Sequence, residues 1–97
     1  MKVQIVKGTA KNKKWKAIFT DADGKKVKTT QFGDNRYKDY TQHGDKDRRS
    51  RYRTRHKKDL QKGDYMSAGY LSMYILWAAS TNINTNIRAY KRRFKLS

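Results

Sequence analysis

The residues best suited to chemistry lie between Asp45 and Lys62, in DKDRRSRYRTRHKKDLQK. Seven of the eleven residues from Arg48 to Lys58 are cationic. An arginine fork matches phosphate oxygens with two parallel hydrogen bonds, so cations at this density point to a polyanion. The stretch predicts a helix of four to five turns. Asp45 is a suitable N-cap, Asp47 suits the positive end of the helix dipole, Lys57, Lys58 and Lys62 suit the negative end, and Gly63 stops it. On that helix Arg48, Arg51, Arg55 and Lys58 line one ridge through spacings of three and four, and Arg49 and Arg53 line a second. Tyr52, His56 and Leu60 leave a narrow stripe for docking on a core. With Lys57, and with Arg88 and Arg92 from the C-terminal segment, these cations form the candidate nucleic-acid-binding set. Few asparagine or glutamine side chains accompany them, so contacts to phosphates with weak sequence preference are expected. The plain alternative is a solvated charged face.

Nothing else has the spacing of a catalytic site. His43 and His56 have no partner in a metal-ligand spacing such as HExxH. His56, on a docking stripe, suits packing or a phosphate contact. Asp21 and Asp23 resemble the start of a calcium loop, but Gly24 comes too early and the chain contains no glutamate to close one. Neither an enzyme nor a cofactor or metal site is expected. Of the aromatics Phe32, Tyr37 and Tyr40, packing is the favoured role and stacking on unpaired bases the alternative. Lysines of Lys11–Lys16 and Lys25–Lys28 are expected to meet at a hairpin as a second basic patch.

The net charge of +17, from 25 basic residues against eight aspartates, calls for a neutralising partner. Soluble domains of this size usually carry a magnitude of about 2–8. Nucleic acid is the first candidate, DNA ahead of RNA, and an anionic membrane surface or acidic protein face the second. A chain of 97 residues has room for one modest core. Aromatic content of 12% argues for folding against a mean hydropathy of −1.18. The absence of cysteine fits an intracellular or virion-interior protein, and MKVQIVKGTAKNKK is too short in apolar residues for a signal peptide.

The elements that must position the arginines follow from periodicity. Lys2–Lys7, Trp15–Thr20 and Lys25–Phe32 alternate as strands, with Trp15, Ala17 and Phe19 on one face and Val27 opposite the tryptophan strand. Asp21-Ala22-Asp23-Gly24 is a hairpin turn. Asp34 or Asn35 can cap a short helical turn through Arg36, Tyr37, Lys38 and Tyr40, which Gly44 ends. Tyr65–Ala79 is the one continuously apolar run. At 1.5 Å per residue it spans about 22 Å, short of a bilayer's roughly 30 Å, so it predicts a buried core helix that includes Trp77, capped by Asp64 or Ser67, and no membrane partner. Ser80 or Thr81 can cap a last helix over Asn82–Phe94, with Ile83, Ile87, Tyr90 and Phe94 on its apolar side. The fold class expected is α+β in a single basic domain, residues 1–97. A three-stranded antiparallel β-meander (residues 1–33) precedes three to four helices (residues 34–97).

The pieces TTQFGDNRYKDYTQHGDKDRRSRYRTRHKKD, AGYLSMYILW and IRAYKRRF, from about Thr29 to Phe94, resemble a family of small basic proteins of large DNA viruses of algae and amoebae. That family's proline before the last helix is replaced here by Ser80-Thr81-Asn82. The resemblance implies a viral origin and virion association, and supplies no activity or binding residue. Two readings follow. One is a viral DNA-binding protein neutralising phosphates non-specifically in the virion interior or the host nucleus or cytoplasm. The other is a minor capsid or cementing protein docking on acidic faces of a capsid protein through Tyr37, Tyr40 and Tyr70. A secreted protein is not expected.

Overall fold

Alternating apolar residues drive the first third of the chain into strands. In a computed structural model, which describes residues 1–97, β1 is Lys2–Lys7, β2 is Lys13–Thr20 and β3 is Lys26–Asp34. They form one antiparallel sheet in the order β1-β2-β3. Val3 pairs with Phe19, Ile5 with Ala17, and Trp15 with Phe32, which sets one apolar face across all three strands. The β2–β3 turn forms as its residues require. The Asp21 carboxylate accepts from the Asp23 and Lys25 backbone N–H groups, and Gly24 takes φ of +80°. A register shift at Phe19/Thr20 accompanies it. Val27, expected against the tryptophan strand, is 46% exposed instead, while Thr30 and Phe32 fill the inner face. The two lysine groups do not meet either. At their nearest along the ladder, Lys16 pairs with Gln31 and Lys28 with Phe19, three residues further along β2, or about 10 Å.

The helical part packs on that face. Helix α1 (Tyr40–His43) is capped by Asp39 in a capping box with Gln42, and Gly44 closes it in the left-handed conformation. Asp34 and Asn35 are thus not its caps; Asp34 ends β3. Helix α2 (Lys46–Arg55) starts at Asp45 as expected, the carboxylate accepting from Asp47 and Arg48 N–H. It stops at Arg55 rather than Lys62. His56 leaves helical geometry and Lys57–Leu60 tighten into a 3₁₀ turn, across which His56 Nδ1 meets Asp59 Oδ2 at 3.0 Å.

The apolar run is shorter than its composition suggests. Asp64 holds the Met66 N–H in a turn, and Ser67 becomes the cap of α3 (Ala68–Leu71). A π-helical turn, Ser72–Leu76, then carries the chain to Trp77, closed by Trp77 N–H to the Ser72 carbonyl. Widening the helix there brings Leu76 into the core beside Leu71 and Ile75. Trp77 ends at the core's edge, half-buried and stacked flat on Tyr52 with ring centroids 4.1 Å apart. Asn82, not Ser80 or Thr81, caps α4 (Ile83–Arg93). The core comprises Val3, Ala17, Phe19, Phe32, Leu71, Ile75, Leu76, Tyr90 and Leu96. Ile83, Ile87 and Phe94 pack against it from α4 and the residue after it. No helix is long and apolar enough to cross a membrane.

Candidate nucleic-acid interface

The arginines of α2 divide between two environments. On the inner side, Arg49 Nε donates to the Ala78 carbonyl at 2.7 Å. Arg53 Nη1 donates to the carbonyls of Met73 and Trp77 at 3.0 and 2.9 Å. The wide turn and the residues after it leave carbonyls without helical partners, and cations there complement the negative helix end. Arg49 also lies over the Tyr40 ring, 5.6 Å from its centroid. These two side chains, expected to grip phosphate, instead fasten α2 to the core helix. With Lys57 they border a recess of about 490 Å³.

The other ridge opens into a larger cleft of about 670 Å³. Arg48, Arg51 and Arg55 form one wall, the end of β3 with Tyr37 and Lys38 faces them, and Lys13, at the start of β2, contributes a further cation. Gly69, Ser72, Leu76 and Trp77 line it from the core helix. Gly33 makes this closeness possible. Its φ is +79°, and a Cβ there would sit 2.8 Å from Leu76 Cδ1.

Charge pairing sets the cleft's character. Two of its three carboxylates have a cationic partner, Asp34 with Arg36 at 2.8 Å and Asp39 with Lys14 at 2.7 Å, and Asp59 meets the His56 ring at 3.0 Å. The Arg36 hydrogen bond holds the half-buried Asp34 carboxyl at about 2. Lys14 also donates to Gln42 Oε1, so it serves as a buried tie between sheet and α1 and adds little to a basic surface. Lys13, Lys38, Arg48, Arg51 and Arg55 form no salt bridge. Five cations outside any salt bridge therefore share one concave surface.

Residues 3–56 match a family of unknown function, DUF5754. The chain belongs to that family. The matched segment holds the sheet apart from Lys2, with α1, α2 and the five cleft cations, and stops where α2 gives way to the 3₁₀ turn. No curated protein and no solved structure matches the chain.

Of the residues singled out in sequence, the structure gathers Arg48, Arg51 and Arg55. Lys58 rides on the 3₁₀ turn outside the cleft, and Arg88 and Arg92 lie on the exposed side of α4, bordering neither recess. Lys38 is an addition that sequence reasoning misses, and Lys13, expected in a patch with Lys25–Lys28, joins the arginines of α2 instead. Their only signal is basic residues flanking predicted strand ends, and it takes the β2–β3 register to carry them to α2. Among the aromatics, Phe32 and Tyr40 are buried, whereas Tyr37 is 68% exposed at the cleft.

Proposed function

We propose that this protein binds nucleic acid through the α2 cleft, neutralising phosphates with little sequence preference. The observation that supports this most is the set of five cleft cations that enter no salt bridge, set beside Arg49 and Arg53, each of which donates to backbone carbonyls of the fold. Side chains held near one another at a like-charge cost mark a surface whose counter-charge comes from outside. The resemblance to small basic proteins of large DNA viruses adds virion or genome association to the proposal. It makes DNA the expected partner.

Capsid docking has less support. Two of its three aromatic anchors, Tyr40 and Tyr70, are buried, leaving Tyr37 alone at the surface. Charge reversal separates the readings. The variant Arg48→Glu, Arg51→Glu, Arg55→Glu should lose retention on immobilised DNA while melting as a folded protein. Unchanged retention would overturn the proposal. So would stable association with a capsid shell after nuclease treatment, with none to DNA.

A further inference from the structure

We infer that the cleft accepts unpaired nucleotides of a single strand in preference to a duplex, with Tyr37 as the platform on which a base stacks. This rests on the nucleic-acid reading above and specifies the form of its partner.

Shape is the first ground. A helix that reads or clamps a duplex stands out from its domain and enters a groove about 12 Å wide. Here α2 is bound on its inner side by Arg49 and Arg53, and its cationic ridge faces across a recess toward the end of β3. The phosphate-binding groups therefore line a concavity. Its volume, about 670 Å³, falls in the range of roughly 300–1,000 Å³ that encloses one small organic molecule. A nucleotide or two is of that size, and a base-paired rod is not.

Tyr37 is the second ground. Its neighbours Phe32 and Tyr40 are buried, and ten aromatic pairs link other rings of the protein, yet Tyr37 belongs to none of them. The Arg36 guanidinium lies over it, 6.0 Å from the ring centroid. The Asp34–Arg36 pair and the Tyr37 N–H bond to the Asp34 carbonyl fix the turn that presents it. An exposed ring on a hydrogen-bonded turn, beside Lys38 and across from three arginines, has the make-up of a single-strand site. There the cations follow the backbone and the aromatic accepts any base by its π face. A duplex keeps its bases stacked inside and gives such a ring nothing to hold.

Fluorescence anisotropy with four labelled probes of equal length tests this: oligo-dT, a mixed-sequence single-stranded DNA, a single-stranded RNA, and a DNA duplex. All are read at one salt concentration for the wild type, Tyr37→Ala and Tyr37→Phe. Tighter binding of single strands, DNA or RNA, than of the duplex is expected, and the better bound of these two chemistries names the natural source. Tyr37→Ala should weaken single-strand binding by about five- to 150-fold, the worth of one base stack, and leave the duplex unaffected. Tyr37→Phe, which keeps the ring, should bind as the wild type does. At 68% exposure the side chain is not needed for folding, so a loss reports on binding. Duplex binding equal to or tighter than single-strand binding overturns this inference and leaves phosphate neutralisation standing, as does an unaltered affinity in Tyr37→Ala. Binding of none of the four probes overturns both.

Discussion

At the residue scale, His43 ties pH to stability. The Asp45 N–H donates to His43 Nδ1 at 2.8 Å, so the neutral ring carries its proton on Nε2, which is buried without a partner. Tyr40 and Trp77 crowd the ring. Burial, and secondarily the charge on Arg48, pulls its pKa below the ordinary 6.5. A histidine whose folded pKa is depressed contributes full stability above its unfolded value and loses that contribution as pH falls through the folded one. Melting temperature should therefore drop as pH is lowered from 7 to 5, and less so in His43→Gln. Parallel pH profiles for the two proteins would remove His43 from the explanation. Asp39 makes a complementary prediction. It caps α1, is 3% exposed and holds the Lys14 ammonium. Asp39→Ala leaves that charge inside without its anion, a loss of about 3–5 kcal/mol by analogy with other broken buried pairs. A denaturant midpoint close to that of the wild type would contradict it.

At the element scale, α2 has two differently employed faces. Arg53→Ala strands the Met73 and Trp77 carbonyls and should cost roughly 1.5–3 kcal/mol of stability. Arg51→Ala touches nothing in the fold and should leave melting unchanged while weakening nucleic-acid binding. Thermal melts and binding isotherms on both variants would show that crossover, and Arg51→Ala unfolding as readily as Arg53→Ala would refute it. The spacing of these arginines was legible in the sequence, including their sorting into two ridges. Which ridge turned inward was not, because docking against the carbonyls of residues 73–78 depends on contacts twenty and more residues away. The strands and their hairpin were legible for the opposite reason. Alternation and the Asp21–Gly24 turn chemistry are local, and so are the Asp45 cap and the Gly44 stop. The break at His56 lies in a stretch with almost no apolar periodicity to mark it. The π turn answers to the core it fills and has no local signature. That turn also moves Trp77 to the rim, so the roughly 3–5 kcal/mol typical of truncating a buried aromatic is an upper bound for Trp77→Ala. The fully buried Leu76 is the better probe of the core, with Leu76→Ala expected to cost about 2–5 kcal/mol.

At the scale of the whole molecule, a net charge of +17 must be held together by one small core. Only Lys14, Lys28, Arg36 and the His56 ring pair with a carboxylate, so most of the repulsion is uncompensated in the free protein. A ligand that binds the folded state alone stabilises it by mass action. Oligonucleotide should accordingly raise the melting temperature, by an amount that grows with the logarithm of its affinity. The most direct test is the salt dependence of that affinity for wild type and for Arg48→Ala, Arg51→Ala, Arg55→Ala together. The account predicts a steep linear fall of log affinity with log salt for the wild type. In the triple variant the slope should shrink by about 0.7 for each single-strand phosphate no longer neutralised. A folded triple variant with the wild-type slope and affinity would show that the cleft is not where phosphate is bound.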